Sequence, residues 1–211
     1  MQDTLIKICG LSSRESIDAA AAAGATHVGF VHYEPSPRHL SLADARALSE
    51  TVPDPLLTVL LLVSMGPDET ARAIDAVQPD VVQLHGAETP EWCAALKQAL
   101  PIEIWKAVGV RDQAGMEHAQ RYVGAVDRIL YDAPAGALPG GNGLALDWSL
   151  LSGFTHNAPW GLAGGLTPAN VADAIRQTKA PLVDTSSGVE SAPGIKDIDK
   201  IRAFCQAARN G

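Results

Sequence analysis

Basic charge, cysteine and long apolar runs are all scarce in this chain. Lys and Arg number 16 against 24 Asp and Glu over 211 residues, a formal net charge of −8. That balance argues against a general nucleic-acid binder, which presents a basic footprint. It leaves room for a small anionic substrate in a locally positive pocket. The three cysteines are Cys9, Cys93 and Cys205. Their count is odd and their spacing wide, with no C-x-x-C and no Cys/His zinc pattern, so no metal site is expected. A reduced, cytoplasmic setting fits best. The start Met-Gln-Asp-Thr-Leu has no basic region ahead of a long apolar run, so no signal peptide is expected. The longest apolar run, Val59 to Val63, is far too short to span a membrane.

What the chain does have is alternation. Short β-rich runs at 5–9, 27–31, 57–63, 81–84, 103–108, 128–132, 160–163 and 182–185 predict eight strands. Helical stretches follow at 14–23, 42–51, 67–77, 90–100, 113–122, 168–177 and 198–208, with a short helix near 148–151. A glycine-rich loop, Gly136 to Gly143, follows the sixth strand. The composition does not break anywhere, so residues 1–211 are expected to form one domain. Eight βα units in this length predict a (β/α)8 TIM barrel, at the short end of that class. A doubly wound sheet is the rival, because alternation alone does not decide closure. No G-x-G-x-x-G follows the first strand, which weakens the dinucleotide-binding version.

Functional groups of such a barrel sit at the C-terminal ends of its strands and in the loops after them. That rule selects Cys9, the loop 34–39, His85, Asp132, Gly164-Gly165, Asp184 and Ser186-Ser187-Gly188. Strand side chains alternate faces, so an inward Cys9 shares its face with Lys7 and Leu5, and Asp132 shares its face with Leu130 and Arg128. Strands one and six lie on different sides of a closed barrel. Cys9 and Asp132 would then flank a substrate as general base and general acid acting on different atoms. A nearby cation such as Lys7 would raise the thiolate fraction of Cys9. Taken alone, a free cysteine is more often a small core residue, and Asp132 reads equally well as a cap for the Ala-Pro-Ala-Gly loop. Cys93 and Cys205 lie on helices and read as packing residues.

Gly164-Gly165 after strand seven and Ser187-Gly188 after strand eight stand where this barrel class recurrently binds phosphate. Glycine lets backbone N–H groups approach an oxyanion, although each motif alone could equally make a tight turn. In Pro35-Ser36-Pro37-Arg38-His39 two prolines stiffen the loop and hold Arg38, whose fork suits a carboxylate. A solvated surface arginine is the plainer alternative. His85, ending strand four, would bond a ligand or line the mouth. Asp184, beside strand one in a closed barrel, would pair with Lys7, orient it and limit how far it activates Cys9.

Together these residues resemble the phosphoribosylanthranilate isomerase family. The matching segments are Lys7-Ile8-Cys9-Gly10, Gly29-Phe30-Val31, Ser36-Pro37-Arg38-His39-Leu40-Ser41 and Val82-Gln83-Leu84-His85-Gly86. They continue through Leu130-Tyr131-Asp132, Gly140-Gly141-Asn142-Gly143 with Asp147-Trp148, Gly164-Gly165-Leu166, Val183 to Glu190 and Pro193-Gly194-Ile195-Lys196-Asp197. The resemblance implies an isomerase of tryptophan biosynthesis without metal or organic cofactor, working on a small phosphorylated substrate, with no nucleic-acid or membrane partner, as a monomer or homodimer. It implies that Asp132 protonates the ring oxygen, Cys9 takes the C2 proton, Arg38 holds the carboxylate, and Gly164, Gly165, Ser187 and Gly188 hold the phosphate. Lys7, His85 and Asp184 would support them. Two residues depart from the pattern: His32, where an aromatic or aliphatic residue is expected, and Asn142, where Ser or Thr is commoner. Other phosphosugar barrels, and a binding module without catalysis, are the competing readings.

Overall fold

The computed structural model describes residues 4–134 and 146–211. Eight parallel strands close into a barrel in the order of the chain: β1 (Leu5–Cys9), β2 (His27–His32), β3 (Leu57–Leu62), β4 (Val81–Leu84), β5 (Glu103–Gly109), β6 (Arg128–Asp132), β7 (Trp160–Leu162) and β8 (Leu182–Thr185). Closure is made by β8 against β1, with Lys7 opposite Asp184. The doubly wound alternative is thereby excluded.

The helices are α1 (Arg14–Ala22), α2 (Leu42–Ser49), α3 (Pro67–Val77), α4 (Pro90–Ala99), α5 (Gln113–Gln120), α6 (Val171–Thr178) and α7 (Ile198–Arg209). Their starts are written locally. Ser13, Ser41, Thr89, Asp112 and Asp197 each accept a hydrogen bond from the first helical turn, a cap that contributes about 1 kcal/mol. Pro67 and Pro90 occupy the first turn, where the missing N–H costs nothing.

Alternation along the strands divides the interior in two. Ile6, Ile8, Val28, Phe30, Leu60, Leu62, Val82 and Leu84 point outward and pack against the helices. Val59, Val81, Trp105, Ala107, Leu130 and Leu182 fill the barrel itself. Cys9, Val31 and Leu61 form a further cluster with Tyr33 and Val63, at the ends of their strands. Gly161 is a glycine because a side chain would collide with Leu182 and Leu130, its Cβ falling 2.6 and 2.7 Å from their Cδ2 atoms.

Two expectations need correction. The helix expected at 168–177 begins at Val171, because Asn170 closes a turn: it accepts from the Thr167 N–H at 2.7 Å and donates to the Gly165 carbonyl at 3.0 Å. A short antiparallel hairpin, β9 (Glu190–Ala192) with β10 (Ile195–Lys196), stands where only loop was expected. Pro193-Gly194 turns it, with Gly194 at φ +81°, as a type II turn requires. The short helix expected near 148–151 is present as a 3-10 turn at Trp148–Leu150. The glycine-rich loop 136–143, with Asn142, lies outside the described residues.

Candidate active site

Lys7, Cys9 and Asp184 meet at the junction of β1 and β8. Lys7 is fully buried and donates to both carboxylate oxygens of Asp184, at 2.9 and 3.0 Å. Burial works against its charge, but Asp184 and Cys9 outweigh burial and hold the Lys7 pKa above its ordinary value. The pair expected from the strand order is therefore present. It also limits what Lys7 does for Cys9. Burial pushes the Cys9 thiol up; Lys7 and Lys196 pull it down, Asp184 pushes it up again, and the net direction is up. The expected rise in thiolate from Lys7 is a real attraction that burial overrides. Room for the thiol comes from β2: a Cβ on Gly29 would lie 2.8 Å from Cys9 Sγ.

Asp132 closes β6 and is 6% exposed. Its Oδ1 accepts the N–H of Ala133 at 2.8 Å, so the capping reading holds for one oxygen. Its Oδ2 faces His85 Nε2 at 3.2 Å. His85 Nδ1 is buried with no hydrogen-bond partner among the described residues. The same ring lines a cavity of about 540 Å³ between α4 and α5, with His118, Arg121 and Tyr122 on its other walls.

Arg38 is neither solvated nor held by proline alone. It is 7% exposed, and its Nε and Nη2 donate to the two oxygens of Glu190 at 2.7 and 2.8 Å. Lys196 Nζ donates to the same carboxylate at 2.7 Å and to the Ser186 carbonyl at 2.8 Å. Ser186 in turn donates to the carbonyl of Cys9 at 3.1 Å. Glu190 and Lys196 escaped the sequence reading as site residues, although both lie inside segments that carry the family resemblance. Burial works to raise the Glu190 carboxyl, but Arg38 and Lys196 together bring it below its ordinary value.

The glycines of the last two loops have packing reasons of their own. Gly164 and Gly165 sit at φ +80° and +70°, where other residues are strained. A Cβ on Gly164 would fall 2.3 Å from the Ala133 nitrogen, and one on Gly188 would fall 1.9 Å from the Leu166 carbonyl oxygen. Ser187 and Gly188 lie in a 3-10 turn, Ser187–Val189. Loops seven and eight therefore interlock, and Thr185 Oγ1 donating to the Leu166 carbonyl at 2.8 Å fastens them.

Several other groups are occupied structurally. Lys106 on β5 gives its donors to the carbonyls of Gly86, Ala107 and Leu84, at 2.8, 2.9 and 3.4 Å, beside Glu88. His32, the departure from the family pattern, bonds through Nδ1 to the Leu40 carbonyl at 2.9 Å and ties the proline loop to β2. Cys93 and Cys205 are fully buried on α4 and α7, and burial pushes both thiols up to about 11. They are packing residues, as expected. Among the described residues no helix is long and apolar enough to cross a membrane.

The fold defines a class, the closed (β/α)8 barrels that carry their functional groups at the C-terminal ends of the strands, and here a buried thiol and a buried carboxylate stand at the ends of β1 and β6. The comparisons narrow it. Residues 6–207 match the model of the N-(5'phosphoribosyl)anthranilate (PRA) isomerase family. N-(5'-phosphoribosyl)anthranilate isomerase of Erythrobacter litoralis is 63% identical over 207 residues, covering 98% of this chain and 99% of its own. The crystal structure of phosphoribosyl anthranilate isomerase from Thermotoga maritima superposes with a TM-score of 0.90 at 36% identity, over 99% of this chain and 100% of that one. A phosphoribosyl anthranilate isomerase in complex with reduced 1-(o-carboxyphenylamino)-1-deoxyribulose 5-phosphate superposes at 0.87, with 35% identity and the same coverage. The chain belongs to the N-(5'-phosphoribosyl)anthranilate isomerase family, and it is an isomerase.

Proposed function

We propose that the chain converts N-(5'-phosphoribosyl)anthranilate into 1-(2-carboxyphenylamino)-1-deoxyribulose 5-phosphate, an Amadori rearrangement in tryptophan biosynthesis. The observation that carries this reading is the position of Cys9 and Asp132, at the ends of β1 and β6, in a barrel of this family.

The chemistry follows from which atoms must gain and lose protons. Asp132 delivers a proton from Oδ2 to the furanose ring oxygen. The ring opens as the nitrogen lone pair forms a C1=N bond, leaving a cationic imine. That cation makes the C2 proton acidic, so a thiolate suffices to remove it. Cys9 takes this proton, and the C2–H electron pair becomes the C1=C2 bond of an enolamine. Loss of the C2 hydroxyl proton and protonation at C1 give the ketone. Acid and base act on different atoms of one substrate, which is why separate strands supply them.

Two anchors would fix the reacting carbons between them. Arg38 would take the carboxylate of the anthranilate ring. The backbone of Gly164, Gly165, Ser187 and Gly188 would take the phosphate, in the loops where this barrel class recurrently binds one. Lys7 keeps positive charge beneath Cys9, Asp184 holds Lys7 in place, and His85 attends Asp132. The first two proton transfers run between side chain and substrate. The whole chain, 1–211, is read as one barrel domain acting in the cytoplasm on a small phosphorylated substrate, with no membrane or nucleic-acid partner, as a monomer or homodimer. The reading is tested by mixing the protein with freshly made phosphoribosylanthranilate and following the decay of its fluorescence. Decay proportional to protein supports the proposal, and an unchanged signal contradicts it.

A further inference from the structure

Arg38, Glu190 and Lys196 are three charges packed together with little exposure: their side chains are 7%, 4% and 3% accessible. Glu190 is fully engaged. Its Oε1 accepts from Arg38 Nε at 2.7 Å and Lys196 Nζ at 2.7 Å. Its Oε2 accepts from Arg38 Nη2 at 2.8 Å and the Gly194 N–H at 3.3 Å. Lys196 is spent as well, on Glu190 and on the carbonyl and hydroxyl of Ser186. Arg38 is not. A guanidinium carries five N–H donors, and Glu190 takes those on one edge only.

Two cations and one carboxylate leave the cluster with one surplus positive charge away from water. A buried charge without a counter-ion is costly, so the free edge of Arg38 favours an anion. The path of Arg38 is fixed from the other side too. Its Cδ passes over Gly10, where a Cβ would lie 2.6 Å away, and Gly10 holds φ +73° to let it through. The hairpin reaches the proline loop at the same point: a Cβ on Gly194 would lie 2.4 Å from the Pro37 carbonyl oxygen.

We propose that Glu190 is a positioning residue for substrate binding: from the β9–β10 hairpin, locked by Lys196, it aims the free edge of Arg38 at the aromatic carboxylate. This rests on the assignment of Arg38 to that carboxylate under the proposed function. Glu190 touches no substrate atom. It acts through Arg38, and the hairpin exists at this point of the fold to bring it there.

The test compares E190Q, K196M and R38A in the full chain, each first shown to melt cooperatively. Steady-state kinetics on phosphoribosylanthranilate are combined with competitive inhibition by inorganic phosphate, which probes the other end of the site. For E190Q the expected result is a KM raised about tenfold or more, the usual weight of a charge-assisted hydrogen bond. Its kcat should stay within about threefold and its phosphate inhibition unchanged, a split that general loosening of the barrel would not produce. K196M should raise KM in the same sense and by less; if E190Q does not fold, K196M carries the test. An R38A KM that rises while E190Q and K196M keep the parent KM overturns the positioning role and leaves the Arg38 assignment standing. Equal losses of kcat and phosphate affinity in E190Q also overturn the positioning role. An unchanged KM in R38A removes the carboxylate assignment, and the positioning role with it.

Discussion

His85 Nε2 lies 3.2 Å from Asp132 Oδ2, while Asp132 Oδ1 is committed to the N–H of Ala133. The two oxygens of this carboxyl are therefore not equivalent. Oδ2 is the one able to carry and deliver a proton, and His85 is the group beside it. An H85Q variant keeps a polar side chain there but removes the ring nitrogen. Its kcat on phosphoribosylanthranilate is expected to fall about tenfold to a hundredfold, less than the roughly hundredfold to ten-thousandfold that goes with losing the acid or base itself, with a melting temperature within a few degrees of the parent. A kcat equal to the parent would separate His85 from the acid.

The Cys9 thiol is pushed up by burial, with Lys7 and Lys196 pulling it down and Asp184 pushing it up. The base must be the thiolate, so kcat/KM is expected to rise with pH on a limb above the ordinary cysteine value. The neighbours set opposite signs. K196M removes a cation that favours the thiolate and should move the limb to higher pH. D184N removes a negative charge that disfavours it and should move the limb to lower pH. A pH–rate series on the three proteins, with ultraviolet thiolate absorbance read alongside, checks both directions.

Much of this was legible before any coordinates. The eight strands and the placing of Cys9 and Asp132 at strand ends follow from period and chain order. Even the Lys7–Asp184 pair could be read, because closure makes β8 the neighbour of β1. What escaped depends on contacts distant in the chain. Glu190 meets Arg38 across 152 residues, and nothing in Glu190-Ser191-Ala192 announces a strand or a partner. The state of Cys9 escaped for another reason. Sequence shows the cation next to it, but the depth of burial that outweighs the cation appears only once the barrel is closed.

Two histidines make the fold sensitive to acid. His27, inside the barrel against Trp105, and His156, stacked on Trp160 at 4.0 Å, are both pushed down to about 4, by burial first. Lys7 and Arg128 add to the shift at His27. Unfolded, both return to about 6.5. Between those values the unfolded chain binds protons that the folded chain refuses, so stability is full above pH 6.5 and is lost as pH falls toward 4. Melting temperatures across that window should fall steadily, and H156F should flatten the slope. A parent curve that is flat over the window would show that neither histidine stays neutral in the fold.

The central claim is that Cys9 and Asp132 divide the proton transfers between them. It is tested most directly by single-turnover and steady-state consumption of phosphoribosylanthranilate by C9A and D132N beside the parent protein, with melting curves to confirm the fold. The account predicts rapid consumption by the parent and a kcat lower by about a hundredfold to ten-thousandfold in each variant, at unchanged melting behaviour. Near-parental kcat in either variant would contradict it.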